Sequence, residues 1–129
     1  MRIVLAALVA ALVAAVAHPA EAAPPVVKVT IRAATHAPKA NAPWPVTIRV
    51  RDAHGRPLRA KLTMRVLLGS FAVGKVEDGR VYAIDGVWRE PKGEEITWPA
   101  ASRGQPLTFQ AIVKALGRTV RASWAIRVR

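Results

Sequence analysis

The chain has 129 residues, no cysteine, and 20 Lys and Arg against 8 Asp and Glu, for a formal net charge of +12. Without cysteine it has no disulfide framework, no thiolate metal site and no thiol for lipid attachment. The positive excess favours polyanionic neighbours such as acidic wall polymers, anionic headgroups or nucleic acid, although a chain rich in Ala, Arg, Gly, Pro and Val also drifts basic with no ligand at all.

Met1-Arg2 followed by the apolar run from Ile3 to Ala17 reads as a secretory signal peptide, with Ala20-Glu21-Ala22 as a small-x-small cleavage site. The run is shorter than the roughly 20 residues that a transmembrane helix needs. The expected organisation is a leader over 1–22 and one domain over 23–129, exported and without a membrane span once the leader is removed. A domain of that length buries a sufficient core on its own.

In the mature chain, Val26 to Ala33 alternates, with Val27, Val29 and Ile31 on one face and Lys28, Thr30 and Arg32 on the other. The segment from Thr35 to Pro45 contains Pro38, Pro43 and Pro45, which cannot donate to a ladder, so it is an extended loop. Val46 to Arg51 alternates strictly. A turn cluster follows at Asp52, Gly55 and Pro57, and a second alternating run leads to Val66. Shorter strands are expected at Ala72–Val76, Val81–Ile84 and Val87–Trp88, with the last resuming at Ile96–Trp98. The chain closes on a hairpin, Leu107–Ala115 and Thr119–Val128, around Leu116-Gly117-Arg118. Seven to eight short strands at this spacing predict an all-β sandwich of antiparallel strands.

The segment Val50-Arg51-Asp52-Ala53-His54-Gly55-Arg56-Pro57-Leu58-Arg59-Ala60 resembles the inter-strand signature of secreted bacterial immunoglobulin-like modules, the invasin-type and YtkA-like families. The resemblance extends to Asp85-Gly86-Val87-Trp88 and to the final hairpin. It implies an immunoglobulin-like β-sandwich that binds, spaces or presents other molecules, and it carries over no catalytic residue.

The residues themselves agree with a non-catalytic role. His36 and His54 are the only histidines after the leader, and no His-x-x-x-His pair, Gly-x-Ser-x-Gly elbow or phosphate-cradling glycine loop occurs. Ser70, Ser102 and Ser123 have no base nearby in sequence, and Glu90, Glu94 and Glu95 read as a solvated turn. The expected function is a binding or spacer module at the cell envelope. Its partner would be an anionic polymer or another envelope protein, with no cofactor and no specific nucleic acid. The alternative is an extracytoplasmic copper-binding protein, although His36 and His54 fall at opposite ends of such a sandwich. Arg49, Arg51, Arg56, Arg59, Arg65 and Arg118 form the candidate anion-binding set, since guanidinium groups offer bidentate donors at any physiological pH. Trp44 and Trp98, each beside a proline at a strand end, admit two readings. They form either a core plug or an aromatic surface for stacking on sugars or bases.

Overall fold

A computed structural model describes residues 23–129, and the leader expected over 1–22 lies outside the described residues. Eight strands follow in order: β1 (Lys28–Ala33), β2 (Val46–Arg51), β3 (Arg59–Leu68), β4 (Phe71–Lys75), β5 (Tyr82–Asp85), β6 (Val87–Arg89), β7 (Leu107–Ala115) and β8 (Arg118–Ile126). They form two antiparallel sheets, one of three strands in the order β1-β2-β6, the other of five in the order β4-β3-β7-β8 with β5 also on β3. Among the described residues, no helix is long and apolar enough to cross a membrane.

β4 and β5 behave as one interrupted strand. Both run antiparallel to β3 along the same edge, β4 beside Arg65–Leu68 and β5 beside Arg59–Leu62. Between them the chain bulges out through a turn at Val76–Gly79, where Val76 drops into the core. Counted that way, the first, second and fifth strands face the fourth, third, sixth and seventh, an immunoglobulin-like layering.

Alternation decides the faces. Val46, Ile48 and Val50 of β2 are buried, and Leu62 and Met64 of β3 and Phe109, Ala111 and Val113 of β7 meet them from the opposite layer. On β8 Val120, Ala122, Trp124 and Ile126 pack on the core, and Val128 just beyond it is buried too.

Two details differ from expectation. Ile96–Trp98 does not resume a strand and contributes a single bridge, Thr97 to Pro43, because the flanking prolines withdraw ladder donors. The final turn has two residues, Leu116 and Gly117, with φ of 51° and 71°. Left-handed pairs of this kind match the twist of a hairpin, so Arg118 joins β8 opposite Ala115.

Candidate anion-binding surfaces

β2 and β3 are consecutive in sequence but lie in different sheets, and this divides the six arginines. Arg49 and Arg51 point outward from the three-stranded sheet, whereas Arg65 points outward from the five-stranded one, on the opposite side of the molecule. The six therefore do not form one contiguous patch. Arg65 is also committed locally, donating from Nε to Gln110 Oε1 at 2.8 Å, and Gln110 passes the chain on to Ser123 Oγ at 3.3 Å.

The outer face of the three-stranded sheet carries five cations. Register places Lys28 opposite Arg51, Thr30 beside Arg49 and Val87, and Arg32 beside Thr47 and Arg89. Lys28, Arg32, Arg49, Arg51 and Arg89 thus share one face that contains no carboxylate. Neighbouring strands lie about 4.8 Å apart and same-face residues along a strand about 7 Å apart, so the charges form a regular two-dimensional array. Like charges directly opposite each other, as Lys28 and Arg51 are, disfavour the sheet slightly. Among the described residues, Arg49 Nε is buried without an acceptor. Arg51 anchors the array to the following turn through Nη1 to the Gly55 carbonyl at 3.0 Å.

That turn is held by Asp52, whose Oδ1 accepts from the backbone N–H groups of His54 at 2.8 Å and Arg56 at 2.9 Å. Chiefly the Arg56 amide holds the Asp52 carboxyl below its ordinary value. Arg56 is fully solvated at the tip.

Arg59 and Arg118 both border one open trough of about 850 Å³ at the hairpin end of the five-stranded sheet, although register sets Arg118 on the inward side, opposite buried Ala115. Lys61 and Lys114, paired directly across β3 and β7, line it too, with Ala83 as floor and Asp85 as its one carboxylate. Arg118 also donates through Nη1 to the Pro25 carbonyl at 2.8 Å, tying the lead-in segment to the hairpin.

Trp44 and Trp98 are not an aromatic surface. They are 1% and 3% exposed, meet edge to face at 5.4 Å between ring centroids, and Trp44 makes a second edge contact with Phe109 at 5.2 Å. Burying two indoles removes far more apolar area from water than stacking on a solvated ligand would return, so the plug wins. The Thr35 carbonyl accepts from Trp44 Nε1 at 2.9 Å and from Trp124 Nε1 at 3.3 Å. His36 stacks on Trp124 at 3.9 Å, and its Nδ1 donates to the Ala125 carbonyl at 2.7 Å, which leaves Nε2 as its free nitrogen. His54 lies at the other end, in the β2–β3 turn. Among the described residues, no three His, Cys, Asp or Glu gather as a metal-holding group.

Glu90 is not part of a solvated turn. Its Oε1 accepts from Val46 N at 2.9 Å and its Oε2 from Ile96 N at 3.0 Å. Burial, the largest influence, pushes the Glu90 carboxyl up despite those two donors, and Glu95 and Glu77 add to the rise.

Sequence reasoning omitted Lys28, Arg32 and Arg89 from the set around Arg49 and Arg51, and Lys61 and Lys114 from that around Arg59 and Arg118. Alternation marked their faces, but the lateral pairing of β1, β2 and β6 is non-local. No family model, no curated protein and no solved structure matches the chain. The likeness to secreted immunoglobulin-like modules therefore rests on the Val50–Ala60 segment and its companions alone.

Proposed function

We propose that the protein is an exported, non-catalytic immunoglobulin-like module that holds anionic polymers of the cell envelope on the outer face of its three-stranded sheet. The observation that carries this reading is the array of Lys28, Arg32, Arg49, Arg51 and Arg89 with no carboxylate among them. Folding alone does not favour such a face, because like charges opposed across strands repel and the Arg49 Nε donor lacks an acceptor. A run of phosphates or carboxylates relieves both, with counterion release as the driving term. The leader at 1–22 supports export, and the turn signature at Val50–Ala60 supports a binding or presenting role.

The test is retention on an immobilised polyanion as a function of salt. Arg32→Gln, Arg49→Gln and Arg51→Gln together are expected to lower the slope of log affinity against log salt by about one for each charge engaged. Lys61→Gln, Lys114→Gln and Arg118→Gln remove the same charge from the trough and are expected to change it less. Equal losses would mean that net charge alone binds the polymer, and the reading fails.

A further inference from the structure

The five-stranded sheet and the layer above it do not close completely along the β4 edge. Where β4 and the turn after it face the Glu95–Pro99 segment there is a cleft of about 460 Å³, within the size range of small-molecule sites. Its walls are apolar: Val66, Val73, Val76, Ile96, Trp98 and Leu107. Its rim is acidic, which is unusual in a chain this basic. Glu77 stands on one side and Glu95 on the other, and both bear on the nearby Glu90 carboxyl. Its own backbone amide, and then that of Gly93 at 3.2 Å, hold the Glu95 carboxyl below its ordinary value. Lys75 also reaches this rim, but its stem lies against Gly79.

Two further features make this more than a gap in packing. Trp98 is 3% exposed and lines the cleft, and among the described residues its buried Nε1–H has no acceptor, an orphaned donor of a kind that folded proteins rarely keep. The Glu77 side chain is presented by a turn that L-residues resist. Glu77 and Asp78 have φ of 52° and 53°, and Gly79 follows at 75°. A relaxed turn would have served to reverse the chain, whereas this one sets Val76 into the core and Glu77 at the rim.

Apolar walls, an indole and a pair of carboxylates are the chemistry that recognises an organic cation. The carboxylates supply the counter-charge and the apolar walls a place for alkyl groups. We propose that the cleft between β4 and the Glu95–Pro99 segment binds compact alkylammonium ions, with Glu77 and Glu95 holding the charge and Trp98 the alkyl surface. This site is separate from the cationic faces and takes the opposite class of ligand.

Choline and its uncharged isostere 3,3-dimethylbutan-1-ol differ only in charge, and both carry a hydroxyl that can accept a hydrogen bond. Each is titrated into the folded protein while the Trp98 indole N–H resonance is followed. Choline is expected to shift it saturably with a Kd on the order of 1 mM, and the isostere to bind at least about tenfold more weakly. Glu77→Gln with Glu95→Gln should bring choline down to the level of the isostere. Glu95 is exposed and Glu77 half-buried, and an unchanged circular dichroism spectrum shows that the double variant keeps the fold. Gly74→Leu, whose Cβ meets only Val66 at an ordinary 3.7 Å, fills the cleft and should abolish both shifts. Equal binding of the two probes, choline binding that survives the double Gln variant, or no shift at tenfold higher concentration would each overturn the proposal.

Discussion

At the end of the sandwich where β1 hands over to β2, closure is made by side chains remote in sequence. Trp44 and Trp98 interlock over Phe109, the Thr35 carbonyl holds two indoles, and Glu90 ties the start of β2 to Ile96. At the opposite end, where β2 crosses to β3, closure is made by backbone chemistry within a few residues. Asp52 caps its own turn, and the Leu116-Gly117 reversal closes the last hairpin. One end uses its large side chains to hold itself together. The other needs almost none, which leaves Arg56, Arg59 and Lys114 exposed to solvent. A polyanion can reach the second end without disturbing the fold, whereas Trp44 at the first is sealed between Trp98 and Phe109.

Trp44→Ala should break the first end outright. The residue is 1% exposed and its removal empties the space between Trp98 and Phe109, so a loss of about 3–5 kcal/mol is expected in denaturant unfolding. His54→Ala, at the solvated tip of the other end, should leave the midpoint unchanged and so sharpen the contrast.

The turn end has one position of comparable sensitivity. Gly86 is buried, sits at a φ of 78°, donates to the Leu58 carbonyl at 2.8 Å and accepts from Val50 N at 2.9 Å, stitching the β5–β6 junction to both flanks of the β2–β3 turn. A Cβ here would fall inside contact distance of Pro57. Gly86→Ala should therefore cost about 3 kcal/mol, from left-handed strain and overpacking together. Adding Pro57→Gly, which removes the Cβ that the new methyl meets, should recover part of it, and no recovery would mean that the clash is not the cause.

This contrast also decides what could be read in the sequence. Turn chemistry is local, so Asp52, Gly55 and Pro57 announced their reversal, and alternation placed every residue of β2 on its correct face. The assignment of strands to sheets is not local. Nothing near Arg49 and Arg65 says that one strand belongs to each layer, so six arginines that looked continuous were split across two faces. The role of Glu90 was hidden for the same reason, because its acceptors are used 6 and 44 residues away. The tryptophan pair was half legible, since both were placed at strand ends with a core plug as one reading, but proline neighbours say nothing of burial.

Glu90 is the next link to cut. Glu90→Ala leaves the Val46 and Ile96 amides without their acceptor and should cost about 2 kcal/mol. Burial raises the folded-state pKa, so the folded protein binds the proton more tightly than the unfolded chain does. Stability from this group is full below the unfolded value and is lost as pH rises through the folded one. Glu90→Gln cannot titrate, and its stability should be flat across that window. A wild-type slope retained in Glu90→Gln would assign the effect to another carboxyl.

The smallest effect expected belongs to Asp52, where the sign reverses. Its carboxylate is stabilised in the folded state, first by the Arg56 amide and then by that of His54, so its folded pKa lies below the unfolded one. The unfolded chain then binds more protons, and the contribution is present above the unfolded value and disappears as pH falls through the folded value. Asp52→Asn keeps an acceptor oxygen and the turn but gives up the charge. At neutral pH its melting temperature should lie slightly below that of the wild type, and the gap should close as the solution is acidified. The gap belongs to the turn end alone, so Asp52→Asn should leave Trp124 fluorescence, which reports on the His36 stack at the far end, unmoved. A change in that signal would show that the two ends are coupled through the sheets, and the division drawn between them would not hold.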